Sequence, residues 1–206
     1  MELTAAEPRR KGLVQLYLDG QPGPKIDEEV FALSRLKAGE ELDLEELEAL
    51  VERSDARRAR EKALYLLEHR SHSKRELTEK IARTAASRQA AQAAADHLEE
   101  IGLIDDRAYA ESYARELVVR KRYGLRRVRQ ELSRKGISPE IQEEVLCAYE
   151  DGGEAARENI ALVLQRRYPL WREDEKSRRR AVAALQRLGY SYSQISAGMG
   201  QPEEWE

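Results

Sequence analysis

Apolar positions along this chain follow two rhythms. Between Gly12 and Leu18, the residues Leu13, Val14, Leu16 and Leu18 come close to the two-residue alternation of a short strand. The cluster Asp19-Gly20-Gln21-Pro22-Gly23-Pro24 then reads as a turn and Lys25-Ile26 as the start of a returning strand. A small β-hairpin is therefore expected, packed against something, because an isolated hairpin is marginal in water. From Asp27 onward the rhythm is helical. Asp27 is placed to cap a helix that opens on Glu28 and Glu29 and ends near Gly39. Asp43 is placed to cap the next, with Leu44, Leu47, Leu50 and Val51 at helical spacing.

After about Ala56 the pattern comes in three rounds. In the first, Ala59, Ala63, Leu64, Leu66 and Leu67 form an apolar side, and the break at His69–Ser73 ends in a Ser73-x-x-Glu76 capping spacing. Leu77 and Ile81 line a second helix, and an alanine-rich third helix leads to Leu98 and Ile101, stopped by Gly102. In the second round Asp105 or Asp106 caps a helix with Tyr109, Ala110, Tyr113, Ala114, Leu117 and Val118. Gly124 breaks it, and Leu125, Val128 and Leu132 mark the next. Gly136-Ile137-Ser138-Pro139 is a helix stop followed at once by a helix start, with Ser138 as cap and Pro139 at the first helical position. Ile141, Val145 and Leu146 carry the third helix of that round.

The third round follows Gly152-Gly153, with Ile160, Leu162, Val163 and Leu164, then Val182 and Leu185. Leu188-Gly189-Tyr190-Ser191 repeats the earlier glycine punctuation, and Ile195 lies in a closing short helix. Matching positions recur about fifty residues apart, the length that three average helices and short loops consume. The fold predicted is mainly α, tandem three-helix-bundle repeats in an elongated curved rod, with an N-terminal β-hairpin and helical extension. The boundaries expected are 1–55 for the extension, 56–102, 103–153 and 154–200 for the repeats, and 201–206 for a frayed tail. In the first repeat Ala85 and Ala86 replace the glycine stop, and alanines let a helix run on, so that turn is expected to be smooth or missing.

Composition sharpens this picture. Hydrophobic residues make up 41%, charged residues 36% and aromatic residues 6% of the chain, which suits several small helical cores better than one wide one. The formal net charge of −3 hides an uneven distribution. Residues 1–55 hold seven basic and fourteen acidic side chains, whereas residues 56–150 hold twenty basic and sixteen acidic. Cys147 is the only cysteine, so no intrachain disulfide can form. Without an apolar leader or a long apolar span, a cytoplasmic location is expected.

The densest charge lies in residues 115–135, with nine basic and two acidic side chains. On the helix carrying Leu125, Val128 and Leu132, the residues Arg126, Arg127, Gln130 and Arg134 point away from the apolar face. Few acidic residues stand four positions away to neutralise them. Arginine outnumbers lysine here, which favours forked contacts to carboxylates or phosphates. The partner-binding candidates are Arg120, Lys121, Arg122, Arg126, Arg127, Arg129, Arg134 and Lys135, with Lys74 and Arg75 as secondary ones. Arg178, Arg179 and Arg180 read as ordinary exposed positions, and Tyr109 and Tyr113 as core. Asp105-Asp106 reads as a helix start rather than an acid–base pair, and His69, His72 and His97 lack the spacing of a zinc site. With no phosphate-binding glycine loop and no nucleophile elbow, no catalytic residue, metal or cofactor is expected.

Gly102-Leu103-Ile104-Asp105-Asp106-Arg107-Ala108-Tyr109-Ala110-Glu111-Ser112-Tyr113 resembles the signature of the RecX family of recombination regulators. It continues through Tyr123-Gly124-Leu125-Arg126-Arg127-Val128 and Leu132-Ser133-Arg134-Lys135-Gly136-Ile137 in that family's order and spacing. Upstream, Ala63-Leu64 through Leu67, Arg70, Ser73 and Glu76-Leu77 are similar to the family's first repeat. The resemblance covers roughly residues 56–200 and is densest between Gly102 and Val145. It implies a non-enzymatic modulator of the RecA recombinase, and the chain is expected to act as a monomer. Such a protein lies in the groove of the RecA filament, meets single-stranded DNA through that filament, and restrains ATP hydrolysis, strand exchange and repressor cleavage in DNA repair and the SOS response. A sequence-tolerant, helix-turn-helix-like DNA-binding protein is the alternative.

Overall fold

The structure, a computed structural model, describes residues 1–84, 87–150 and 153–200. It opens on three antiparallel strands in chain order, β1 (Leu3–Arg9), β2 (Leu13–Leu18) and β3 (Gln21–Asp27). The expected hairpin thus supplies two strands of a three-stranded sheet, and β1 adds a third that the side-chain pattern does not announce. The turn is also tighter than expected: Leu18 pairs with Gln21, leaving Asp19 and Gly20 as the two loop residues. Both have positive φ, 48° and 75°, the backbone twist that two-residue hairpin loops favour. Pro22 and Pro24 are tolerated because β3 is an edge strand.

Helix α1 (Glu28–Ser34) begins at Asp27, whose carboxylate accepts from the Glu29 and Val30 amides. It stops at left-handed Arg35, before Gly39. Asp43 and Glu46 form a reciprocal capping box at the start of α2 (Leu44–His69). This helix is continuous across residues 55 and 56. The chain between Asp43 and His69 holds no glycine or proline to stop it, so the two helices read from the sequence are one. Its first half packs on the sheet, where Leu3, Val14, Leu16, Ile26, Val30, Leu42 and Leu50 form a buried cluster. Ser54 Oγ accepts the Asp27 amide at 2.8 Å, and Arg57 Nε reaches the Asp27 carboxylate at 3.0 Å.

The second half of α2 packs with α3 (Lys74–Ala82) and α4 (Arg88–Glu100). Ala59, Ala63, Ala91, Ala94 and Ala95 are buried there beside Leu77, Ile81, Leu98 and Ile104. Small side chains let these three helices approach closely, and Leu64 is left exposed. The turn between α3 and α4 is present: Ser87 Oγ caps α4 by accepting from the Ala90 amide. Ala85 and Ala86 themselves lie outside the described residues, as do Gly152 and the tail 201–206. Met1–Ile104 forms one compact unit, and a second begins at Asp105.

In the second unit, α5 (Asp106–Arg115) runs into a π-helical turn, Glu116–Arg120, followed by α6 (Leu125–Arg134) and α7 (Pro139–Cys147). Asp105, not Asp106, supplies the cap, accepting from the Ala108 amide. Ser138 caps α7 with Pro139 at its start. Ala110, Ala114, Leu117, Val118, Val128, Leu132, Ile137, Val145 and Leu146 make the core. A further cluster, centred on Ile160, Leu164, Leu185, Tyr190 and Ile195, holds α8 (Glu154–Arg167), α9 (Glu175–Arg187) and α10 (Tyr192–Gly198). Leu162 lies half a turn from Ile160 and Leu164 and is exposed rather than buried.

Candidate functional site

The basic stretch divides between a seam and a free face. At the seam the π-helical turn widens the helix by one residue, and Arg122 follows in the left-handed region at φ 56°. That conformation aims the Arg122 guanidinium at Asn159 of α8, which accepts at 2.6 Å, while the Asn159 amide donates to the Val118 carbonyl at 3.4 Å. The Arg122 carbonyl accepts from the Tyr190 hydroxyl at 2.9 Å. Burial pushes the Tyr190 phenol far above its ordinary pKa, with the Arg122 charge acting the other way, so it stays a donor. Arg122 is therefore a structural link between α8, the π turn and the Gly189 corner, and not a free contact residue.

Arg127 is also committed. Its guanidinium lies 5.7 Å from the centre of the Tyr123 ring, and Nη2 meets the Glu131 carboxylate at 2.8 Å. Arg134 reaches the same carboxylate at 3.1 Å from the opposite side. Glu131, only 16% exposed, thus neutralises part of a patch that sequence spacing left uncompensated. It stands four residues after Arg127 and three before Arg134, the two helical spacings at which one carboxylate can serve both.

Other candidates differ in the same way. Lys121 lies 3.7 Å from Glu116, and Lys135 lies 5.9 Å from the centre of the Tyr113 ring. In the first unit Lys74 bridges Asp96 at 2.6 Å and Glu99 at 2.7 Å, and these hydrogen bonds raise its pKa. Arg75 pairs with Glu79 at 3.0 Å. Among the described residues, Arg120, Arg126 and Arg129 have no ion-pair partner, and all three are exposed. Arg126 and Arg129 are three positions apart on α6, about 60° apart around its axis, and both are exposed beside the buried stripe of Val128 and Leu132. This arrangement can bind an anionic surface. Among the described residues no group of three or more His, Cys, Asp and Glu side chains converges as metal ligands would. No helix there is long and apolar enough to cross a membrane.

Comparison with known proteins matches this architecture. A family model described as RecX, second three-helix domain, matches residues 105–146, the α5–α7 bundle that carries the patch. The regulatory protein RecX of Prosthecochloris aestuarii is 31% identical over 129 residues, covering 63% of this chain and 82% of that protein. The RecX of Chlorobium phaeobacteroides is 29% identical over 149 residues, 72% of this chain and 95% of its own length. That of Clostridium acetobutylicum is 25% identical over 194 residues, 92% and 90% of the two chains. A crystal structure of a regulatory protein RecX superposes with a TM-score of 0.66 at 26% identity, covering 97% of this chain and 99% of the other. On this combination of sequence relationship and shared fold, the chain belongs to the RecX family.

Proposed function

We propose that this chain is a non-catalytic regulator that docks on the RecA–single-stranded DNA filament and restrains its recombinase, ATPase and co-protease activities. The observation that carries the reading is the pair of exposed arginines on α6, Arg126 and Arg129, which meet no carboxylate among the described residues, within the bundle that the family model matches. Two guanidinium forks one turn apart fit a polymer that repeats carboxylates or phosphates along its length. The three-helix units proposed over residues 56–102, 103–153 and 154–200 would let weak contacts spread over neighbouring subunits. Affinity then rises through effective concentration and favours the assembled filament over a free protomer.

Co-sedimentation with RecA assembled on single-stranded DNA tests this, with naked DNA and unassembled RecA as parallel samples. The chain should pellet with the filament and slow its ATP hydrolysis. Tight binding to naked DNA that falls steeply with salt would instead identify a direct DNA-binding protein, because phosphate neutralisation releases counterions.

A further inference from the structure

The seam of the second unit carries a groove that the α6 face does not account for. Its open volume is about 1000 Å³. Its walls come from the end of the π turn, the last turn of α8 and Leu188 after α9. Arg120, Lys121, Arg166 and Arg167 supply positive charge, and among the described residues no Asp or Glu lines it. A neighbouring hollow shares Tyr123, Val163, Arg167 and Leu188 with it and adds Arg187, so the basic lining continues. Among the described residues, Arg120, Arg166, Arg167 and Arg187 have no ion-pair partner.

Basic residues in the last turn of a helix offset its negative end, and that alone would explain Arg166 and Arg167. It does not explain the apolar side chains between the charges. Val119 is 50% exposed and Leu162 is 38% exposed, and both line the same groove. What sets these two apart from other exposed aliphatic side chains is that they share one groove with arginines that meet no carboxylate among the described residues.

We infer that this groove binds an acidic protein segment that carries an aliphatic side chain between its carboxylates. Charge complementarity selects an anion: among the described residues the lining carries several cations and no Asp or Glu, and Lys121 alone of them has a carboxylate nearby, Glu116 at 3.7 Å. The aliphatic floor selects a peptide over a nucleic-acid strand. A strand would need open aromatic faces on which to stack its bases; Tyr123 has the Arg127 guanidinium 5.7 Å from its ring centre, and Tyr123 and Tyr168 of the neighbouring hollow are both half-buried. A leucine or isoleucine of the segment lies on Val119 and Leu162, while flanking carboxylates take the guanidinium forks of Arg120, Arg166 and Arg167. This surface is distinct from the Arg126–Arg129 face, and the inference does not require that the filament reading hold.

The test uses the full chain without RecA. A dye-labelled peptide, Glu-Asp-Leu-Glu-Glu-Leu-Asp-Glu, is titrated by fluorescence anisotropy beside the same peptide with serine at both leucines and a labelled oligothymidylate. The leucine peptide should bind in the micromolar range and weaken with salt. Arg166→Glu with Arg167→Glu should reduce its affinity about tenfold or more. Leu162→Ser should reduce it several-fold while leaving the serine peptide unaffected, with circular dichroism confirming that each variant is folded. Equal binding of the two peptides would overturn the inference, because it would reduce the groove to a diffuse cationic surface. So would oligothymidylate binding that displaces the peptide and depends on the same arginines. If the chain takes the leucine peptide here but does not inhibit RecA in the separate co-sedimentation and ATPase assay, the filament reading alone fails.

Discussion

Gly124 and Gly189 meet backbone to backbone: a Cβ on Gly124 would lie 2.6 Å from both the carbonyl carbon and the oxygen of Gly189. The Gly124 amide donates to the Leu188 carbonyl at 2.8 Å, so the approach is held by a hydrogen bond. Gly189 itself has φ 97°, and a Cβ there would lie 2.5 Å from Arg127. Neither neighbour is the flexible end of a side chain, and nothing can move aside without opening the seam. Gly124→Ala should therefore destabilise the chain by about 2 kcal/mol or more, as overpacking of a tight interface does. Urea unfolding followed by circular dichroism measures it, and an unchanged midpoint would show that the seam is loose.

The buried amide of Asn159 joins the same seam by polar contacts. Replacing Asn159 by leucine keeps the side-chain branching but removes the hydrogen bonds to the Arg122 guanidinium and to the Val118 carbonyl. A cost of about 1–3 kcal/mol is expected. Tyr190→Phe removes one neutral hydrogen bond to the Arg122 carbonyl and should cost about 1 kcal/mol. Because the two side chains meet at Arg122, the double variant should lose less than the two single losses together. Strict additivity would mean that Arg122 does not link them.

What the sequence made legible was local chemistry. Asp27, Asp43, Ser73 and Ser138 each cap the helix that their spacing marked, because a cap needs only its own next three residues. Gly136 and Gly189 end helices with positive φ, as their punctuation implied. Strand β1 was illegible because Leu3–Arg9 offers little β-forming side-chain pattern, with Ala5, Ala6, Glu7 and Pro8. It becomes a strand through pairing with β2, and Leu3 gains its burial from Leu42 and Leu50 far along the chain. The π-helical turn breaks no periodicity that can be seen in advance. The role of Arg122 likewise depends on Asn159, which no local pattern connects to it. At the patch, net charge was legible, whereas the division between paired and unpaired arginines needed side-chain geometry.

His72 provides a pH test of the first unit. It is buried at the start of α3, with Nδ1–H donating to the Arg70 carbonyl at 2.8 Å. Nε2 therefore keeps its lone pair and accepts from Lys80 Nζ at 2.8 Å. A second proton would have to face an ammonium group. Burial lowers the His72 pKa, with the charges of Arg70 and Lys80 acting in the same direction and the Arg70 carbonyl and Glu76 opposing. Since the folded value lies below the ordinary 6.5, the unfolded chain binds more protons across that window. The contribution is complete above about pH 6.5 and is lost as pH falls toward the folded value. His72→Asn should flatten the fall in urea midpoint between about pH 7.5 and pH 5 relative to the parent. Parallel curves for the two proteins would place the pH dependence elsewhere.

The division of the arginines on α6 predicts a split between binding and stability. Arg126 and Arg129 touch no carboxylate among the described residues, so reversing both to Glu removes nothing that the fold uses. Filament affinity should fall about tenfold or more, read from RecA ATPase inhibition, with the melting temperature within a degree or so of the parent. Arg127→Glu is different. It sets a carboxylate against Glu131, uncovers Tyr123 and disturbs the side chain that Gly189 packs on. Its melting temperature should drop, and any loss of inhibition should follow that drop. Arg134→Glu falls between: the side chain is 64% exposed, and its pairing with Glu131 is a surface one worth less than about 1 kcal/mol. If Arg127→Glu abolishes inhibition at full stability while the Arg126–Arg129 reversal leaves it intact, the partner surface lies on the seam rather than on the outer face of α6.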